Sequence, residues 1–253
     1  MSSGQPKIVF EGVSKSFEKK GVPLEVLQDI TLSVEESELV CLLGPSGCGK
    51  STLLNIAGGF EKPTTGTVAI DGQQVQGPDP RRVFVFQEYG IFPWSSVWDN
   101  VALGLRHLSK DKQHEIAAQV IELVGLEGFE RAYPGELSGG MKQRVEVARA
   151  LAVSPDVIYM DEPFGALDSL TRLTMRSELV RIWKDQKPTI LFVTHDVDEA
   201  IQLAERIVVF SARPGRIAGV EHLSMEHPRD ITSPEYAQIK SRLYGLLGVS
   251  QLV

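Results

Sequence analysis

With 253 residues, the chain is long enough for one large α/β domain, and its hydrophobic share of 42% and charged share of 23% are ordinary for a globular protein. The net charge of −7 argues against a nucleic-acid-binding protein, because phosphate backbones require a basic surface. The sequence contains no apolar run long enough to span a bilayer, and residues 1–7 lack the apolar core of a signal peptide. We therefore expect a cytosolic chain without nucleic-acid partners.

Two near-alternating apolar stretches, residues 7–10 and 25–34, predict a pair of antiparallel strands. Residues 21–23 between them are typical of a turn. Phe17 lies on this connection, and its ring either stacks on a purine base or packs against hydrophobic neighbours. The spacing leaves both interpretations open.

Residues 44–51 fit the pattern G-x-x-x-x-G-K-[ST] of a phosphate-binding loop. The apolar run 39–43 predicts a buried strand before the loop, and residues 51–57 predict a helix whose positive end faces it. Glycines let backbone N–H groups approach an anion closely, while Lys50 supplies a charge for the phosphates and Ser51 a hydroxyl for Mg²⁺. We therefore predict a nucleoside triphosphate site formed by Gly44, Pro45, Ser46, Gly47, Cys48, Gly49, Lys50, Ser51 and Thr52.

A strand and turn are predicted at 67–72 and a buried strand at 82–86, and the second of these leads directly into Gln87. The loop that follows, up to Trp94, holds three aromatic residues, an isoleucine and a proline, which is much apolar surface for a loop. It either packs against the chain's own helices, which its composition favours, or receives another protein.

Residues 97–136 have a helical pattern, and the segment 137–141, Leu-Ser-Gly-Gly-Met, precedes a second predicted helix at 142–151. Ser138 and the two glycines offer a hydroxyl and backbone N–H groups that suit an anion. The alternative is an ordinary helix N-cap with flexible glycines.

Two more apolar runs end in polar groups. Asp161 and Glu162 follow the run 157–160, where they either hold Mg²⁺ and orient a water or lie on the surface as ordinary acids. His195 follows the run 190–193, where it either contacts a γ-phosphate or is a surface histidine. The runs at 39–43, 83–86, 157–160 and 190–193 are continuous, so they predict parallel strands covered on both faces, with ligands at their carboxyl ends.

The remaining elements are a long helix at 169–186, strands at 206–210 and 215–220, and a helix at 235–247 in a tail without recognisable chemistry.

In this order, the motifs resemble those of the ATP-binding subunit of an ABC transporter over nearly the whole chain. The resemblance is carried by the phosphate loop, Gln87, the signature 137–141, Asp161-Glu162, Ala166-Leu167-Asp168 and His195. It implies an α/β P-loop NTPase of ABC type with a mostly parallel core sheet, an antiparallel β subdomain and a helical subdomain. It also implies one ABC ATPase domain over 1–253, with a core at about 7–87 and 155–220, a helical part at 88–154 and a short tail at 221–253.

The resemblance further implies a role for each motif in binding and hydrolysing ATP with Mg²⁺. Phe17 would stack on adenine, and Lys50 and the loop would hold the phosphates. Glu162 would act as the base, and His195 would contact the γ-phosphate. The implied Mg²⁺ ligands are Ser51, Gln87 and Asp161, with Gln87 also touching the attacking water. The implied contacts across subunits are Ser138, Gly139, Gly140 and Asp168.

Two residues depart from the family pattern. Met141 replaces the usual glutamine at the end of the signature, which leaves the anion contacts of Ser138 and the glycines intact. Glu146 stands where a small residue is usual, and the sequence offers no explanation.

The chain has one phosphate loop and one signature, and in this family ATP lies between the loop of one subunit and the signature of the other. The resemblance therefore implies a head-to-tail dimer of two copies. It also implies a membrane permease subunit bound through the Gln87–Trp94 region, a solute-binding protein reached indirectly, and a peripheral place on the cytoplasmic face of the membrane.

Residues 86–94, 99–101, 163–168 and 213–217 are similar to those of importers of nitrate, sulfonates and taurine. A small anionic solute is therefore expected. The competing hypotheses are a soluble ABC-type ATPase acting on ribosomes or DNA, and a P-loop kinase for a small metabolite.

Overall fold

The structure is a computed structural model that describes residues 5–19, 21–86, 90–165 and 167–249. The chain divides into two compact units. One comprises Met1–Asp79 and Thr189–Val253, and the other comprises Pro80–Pro188. None of the helices formed by the described residues combines the length and the apolar composition that crossing a bilayer requires.

The strands, in chain order, are β1 (Ile8–Lys19), β2 (Val22–Val34), β3 (Leu39–Leu43), β4 (Thr65–Ile70), β5 (Gln73–Gln74), β6 (Arg82–Val85), β7 (Val157–Asp161), β8 (Thr189–Thr194), β9 (Arg206–Phe210) and β10 (Ile217–His222). The α-helices are α1 (Lys50–Ala57), α2 (Val97–Ala102), α3 (Lys110–Leu123), α4 (Gly139–Ala152), α5 (Ser169–Gln186), α6 (Val197–Leu203) and α7 (Pro234–Leu246). Short 3₁₀ turns occupy Leu103–Leu105 and Pro134–Glu136.

The first unit contains an antiparallel sheet with the strand order β2-β1-β4-β5. Strands β1 and β2 pair as the alternating pattern predicts, but the pairing continues to Lys19 opposite Val22. Phe17 therefore lies within β1, opposite Leu24, and not on the connection where the sequence placed it. The predicted turn residues Val22 and Pro23 belong to β2, because the ladder extends almost to Gly21.

The first unit also holds the strands β10-β9-β3-β8 of the core sheet. Strand β3 runs parallel to both β8 and β9, and all the side chains of β3 and β8 are buried. The continuous apolar runs correctly predicted such strands, since a strand covered on both faces has no polar side. Leu43 pairs with Thr194, so the carboxyl ends of β3 and β8 lie at the same level.

In the second unit, β6 and β7 pair in parallel, and α2 and α3 pack against α4. The helical pattern of 97–136 is interrupted in the structure. Ser109 begins α3 as its N-cap, and Gly125 and Gly128 follow the helix with positive φ angles of 65° and 83°. Glycine adopts this left-handed conformation without steric cost, so the helix ends there.

These elements confirm the predicted α/β architecture of parallel core strands, an antiparallel sheet and a helical part. The geometric division groups β7 and α5 with the helices of the second unit. The predicted functional division into a core at 7–87 and 155–220 and a helical part at 88–154 stays a prediction.

Candidate active site

The phosphate-binding loop connects β3 to α1 and curls around the ammonium group of Lys50. This side chain is only 4% exposed, and its Nζ donates to the carbonyl oxygens of Gly44 at 2.7 Å and Pro45 at 3.0 Å. In contrast, residues 45–47 are exposed. The loop therefore places a positive charge beneath a rim that is open to solvent, as an anion site requires.

Two glycines of this loop have backbone angles that other residues rarely adopt. Gly47 and Gly49 have φ values of 76° and 109°. A Cβ atom on Gly49 would lie 2.7 Å from Cδ2 of Leu27 and 3.0 Å from the carbonyl oxygen of Val26. Because Gly49 is also the N-cap of α1 and has no side chain, it leaves the first N–H groups of the helix open to a ligand.

A segment after β9 supports the loop from the other side. Arg213 donates from Nε and Nη2 to the carbonyl oxygen of Gly47, at 3.0 and 2.8 Å. Gly215 donates to Val26 at 2.8 Å, and a Cβ atom on it would lie 2.1 Å from the carbonyl oxygen of Cys48. The sequence pointed to residues 213–217 only through the family resemblance and gave no sign that they support the phosphate loop.

We expect Gly49→Ala to abolish ATP binding and to destabilise the protein. The left-handed conformation costs a residue with a Cβ about 1–2 kcal/mol, and the overlap with Leu27 adds about 1–3 kcal/mol. Titration with a fluorescent ATP analogue and thermal unfolding would measure both effects. Gly77→Ala is the matched control, since a Cβ there meets no heavy atom within 4 Å. Normal ATP affinity in Gly49→Ala would contradict the role assigned to this backbone conformation.

His195 lies beside the phosphate loop in the same unit. It follows β8 directly, and the pairing of Thr194 with Leu43 places it level with Gly44 at the same sheet edge. Its side chain is exposed, whereas the residues that hold the turn are buried: the Thr194 hydroxyl donates to the carboxylate of Glu199 and accepts from the N–H of Asp196 at 3.0 Å. The signal for this network in the sequence is an Asp followed three residues later by a Glu, which indicates a capped helix and was not among the predicted features.

Phe17 is a surface residue of β1, with 37% of its side chain exposed. The ammonium group of Lys15 lies 4.7 Å from the centre of its ring, and Lys15 in turn pairs with Glu61 at 2.7 Å. Side-chain hydrogen bonding to Lys15 lowers the pKa of Glu61, so this partner stays ionised. Stacking on adenine stays a prediction.

In the second unit, the two acids of the predicted hydrolytic site follow one another at the end of β7. Asp161 is the last residue of the strand and Glu162 begins the turn after it, and both are half-buried. Glu162 has a φ of 46°, in the left-handed region that costs a non-glycine residue on the order of 1 kcal/mol or more. Such backbone strain is typical of functional positions.

The signature and Asp168 lie at two helix N-termini of this unit. Ser138 is the exposed N-cap of α4 and accepts from the N–H of Met141 at 3.3 Å. Asp168 is the N-cap of α5, and its hydrogen bonds with Thr171, the strongest influence, lower its pKa. The N-cap interpretation of Ser138 is thus correct, and its contact with an anion stays a prediction.

The loop after Gln87 is held by a buried asparagine. Asn100 accepts from the N–H of Phe92 at 2.7 Å and donates to the carbonyl oxygens of Ser95 and Ser96 at 3.0 and 2.9 Å. Ile91 is buried, whereas Trp94 is 73% exposed. The loop therefore packs inward at one end and presents an aromatic side chain outward at the other. Gln87 itself, like Ala166, lies outside the described residues.

A family model described as ABC transporter matches residues 27–165. A nitrate import ATP-binding protein of Synechococcus elongatus is 43% identical over 247 residues, covering 94% of this chain and 90% of the relative. An aliphatic sulfonates import ATP-binding protein of Bacillus cereus is 43% identical over 236 residues, with 93% and 94% coverage. An uncharacterised ABC transporter ATP-binding protein of Methanocaldococcus jannaschii is 47% identical over 243 residues, with 95% and 91% coverage.

Among solved structures, a dimeric ATP-binding cassette in a post-hydrolysis state, bound to ADP and phosphate, superposes with a TM-score of 0.78. It is 33% identical, and the match covers 87% of this chain and 100% of the cassette. The predicted P-loop NTPase fold of ABC type is thereby confirmed. The chain belongs to the ABC transporter family and is an ATP-binding subunit that hydrolyses ATP.

Proposed function

We propose that this chain powers the import of a small anionic solute by binding and hydrolysing ATP between two head-to-tail copies of itself. The observation that carries the proposal is the open rim of the phosphate loop above the buried Lys50. A phosphate chain bound on this rim would have one side exposed to solvent. Since the sequence holds one such loop and one signature, the signature of a second copy is the surface that would cover it.

Lys50 and the loop 44–52, through the backbone N–H groups of its non-proline residues, bind the phosphates, and Phe17 stacks on the adenine ring. Glu162 takes a proton from the attacking water as the phosphoanhydride bond breaks. His195 contacts the γ-phosphate and so distinguishes ATP from ADP. From the second copy, Ser138, Gly139 and Gly140 contact the same phosphate, and Asp168 links the two copies.

The residues assigned to the metal fit Mg²⁺ in their chemistry. Asp161 supplies a carboxylate oxygen at the end of β7, and Ser51 supplies a hydroxyl in the first turn of α1. Mg²⁺ prefers such oxygen ligands, usually one or two from the protein together with substrate phosphates and water. We assign Gln87 to the same ion. When bound, Mg²⁺ neutralises charge that develops on the phosphates.

An anionic solute is supported by the nitrate and sulfonate importers among the relatives. The exposed Trp94, on a loop fixed by Asn100, supports docking of a membrane permease subunit through the Gln87–Trp94 region. Exposed aromatic groups on a rigid base are typical of docking sites, since little conformational freedom is lost on binding. The subunit would then lie peripherally on the cytoplasmic face of the membrane and reach a solute-binding protein only through the permease.

Trp94→Ala tests this proposal in vesicles that contain the chain, its permease and its solute-binding protein. We expect ATP-dependent uptake of nitrate or methanesulfonate by the unmodified complex and its loss, by about tenfold or more, in the variant, because interface tryptophans often contribute 2 kcal/mol or more. ATP hydrolysis by the isolated subunit should stay within about twofold of normal, since Trp94 touches no nucleotide in this proposal.

Phe129→Ala, which removes another exposed aromatic ring of the same unit, is the control and should transport normally. Full uptake by Trp94→Ala would rule out this docking surface. Failure of the unmodified complex to take up either anion would rule out the proposed solute class.

A further inference from the structure

Glu146 and Arg149 contact both ends of the segment that contains Gln87. Glu146 lies on α4 and is 1% exposed, and its Oε1 accepts from the N–H of Phe86 at 3.0 Å. Arg149, one turn later, donates from Nη1 to the carbonyl oxygen of Gly90 at 2.7 Å. A Cβ atom on Gly90 would lie 3.0 Å from Oε1 of Glu146 and 3.2 Å from Nη2 of Arg149. Phe86 and Gly90 are thus fixed to the same turn of one helix.

Both side chains keep ionisable groups inside the protein. Burial raises the pKa of Glu146, against the opposing effects of its hydrogen bonds with Phe86 and Gly90 and of the charge of Arg149. Burial lowers the pKa of Arg149, against the opposing charge of Glu146. Within the described part of the chain, Oε2 of Glu146 has no hydrogen-bond partner. Opposite charges in such surroundings contribute little net stability, because desolvation offsets their attraction.

A small apolar residue would fill this position of α4 without that desolvation. Alanine, however, has no atom that could accept from the N–H of Phe86. The carboxylate is therefore better explained by what it holds than by the stability it adds. The carboxylate binds the N–H of Phe86, the residue before Gln87, while Arg149 binds the carbonyl oxygen of Gly90, which follows it.

We propose that Glu146 is a positioning residue that, with Arg149, fixes both ends of the segment 86–90 to the helix begun by Ser138. The inference rests on the proposed role of Gln87 at the metal and the attacking water. It explains why a glutamate occupies this site. It also makes α4 the common support of the signature and of Phe86 and Gly90, the described residues on either side of Gln87.

Arg149 of the same helix also lies near the loop that carries Trp94, the proposed docking residue. The guanidinium group of Arg149 lies 5.5 Å from the centre of the Phe92 ring, and the Phe92 ring lies 5.3 Å from that of Trp94. A displacement of the Trp94 side chain would therefore disturb Arg149, the residue that binds Gly90.

Three variants of the full chain test the proposal. Glu146→Asp keeps the charge but shortens the reach by one methylene, whereas Glu146→Gln keeps the length and an oxygen acceptor. Val145→Ala removes volume from the same helix at a buried residue without hydrogen-bonding groups. We expect Glu146→Asp to lower kcat by about 10- to 100-fold with KM for ATP within about twofold, because a displaced catalytic segment affects chemistry more than binding. Glu146→Gln should keep most of the activity, and Val145→Ala should behave normally.

Hydrogen exchange supplies a readout that does not depend on activity. The amide of Phe86 should exchange faster in Glu146→Asp than in the unmodified chain, because this variant loses the acceptor of the amide. Its exchange rate in Val145→Ala should equal that of the unmodified chain. A normal kcat or normal exchange in Glu146→Asp would overturn the proposal, and so would an inactive Glu146→Gln with intact folding. The unmodified protein, which should hydrolyse ATP, is the reference for every variant. Inactivity of that protein, or normal activity of Gln87→Ala, would instead contradict the proposed function.

Discussion

Replacing Glu162 by glutamine is expected to reduce ATP turnover by about 10²- to 10⁴-fold, the range that a positioned general base contributes. ATP-dependent dimerisation should persist. The substitution removes the ability to accept a proton and leaves the phosphate loop, Lys50 and Asp161 unchanged. Since hydrolysis removes the bridging γ-phosphate, a variant that binds ATP but cannot cleave it should accumulate as a dimer.

The backbone at this position makes glutamine the appropriate substitute. Glu162 has a φ of 46° and begins the turn in which the N–H of Gly165 donates to its carbonyl oxygen at 3.1 Å. Glutamine has the same length and branching, so it adds no new steric conflict in the left-handed region. A loss of turnover can then be assigned to the carboxylate rather than to a collapsed turn.

Phosphate release under single-turnover conditions and size-exclusion chromatography with ATP would measure the two effects. Glu178→Gln is the matched control, because Glu178 lies on the surface of α5 and pairs with Arg181 at 2.5 Å within the same helix. It should hydrolyse ATP normally. Turnover at the wild-type rate in Glu162→Gln would remove this residue from its proposed role. A monomer in the presence of ATP would contradict the bridging function of the nucleotide.

The sequence predicted those features that depend on local pattern. The continuous apolar runs 39–43 and 190–193 predicted buried parallel strands, because a strand covered on both faces has no polar alternation. The phosphate loop was recognised from residues 44–51 alone, since its glycines, lysine and serine are neighbours in the chain. The N-cap at Ser138 followed from residue type and the helix after it.

The contacts that hold the site together could not be predicted from the sequence, because they join residues that are far apart in the chain. Arg213 bonds to Gly47 across 166 positions, and Glu146 bonds to Phe86 across 60. No local pattern indicates which carbonyl an arginine will reach. In the sequence, Glu146 is only a departure from the family pattern, because its partner Phe86 follows β6, a different element.

A mixture of two inactive variants, Ser138→Asp and Lys50→Met, is expected to recover ATP hydrolysis. In a two-fold symmetric pair, each site takes its phosphate loop from one copy and its signature from the other. A mixed dimer then holds one site with both substitutions and one with neither. If equal amounts exchange freely and the sites act independently, about a quarter of the wild-type activity should return, and less if the sites cooperate.

Both substitutions are chosen to leave the fold intact. Aspartate caps a helix as well as serine does, so Ser138→Asp keeps the acceptor for the N–H of Met141 while its charge repels a phosphate. Methionine preserves most of the buried volume of Lys50 but cannot donate to Gly44 and Pro45. Ser109→Asp is the matched control, since it makes the same change at the N-cap of α3 and should keep normal activity.

The mixing experiment distinguishes a site shared between two chains from a site that is completed within one chain. In the second case, every chain carries a defect in its own site, and no combination of the two variants can restore hydrolysis. Phosphate release measured against the mole fraction of Ser138→Asp would distinguish the two. A shared site predicts a curve with its maximum at equal amounts, because mixed dimers are then most abundant. A flat line at the level of the separate variants, with exchange of subunits demonstrated by labelled chains, would show that one copy does not complete the site of the other.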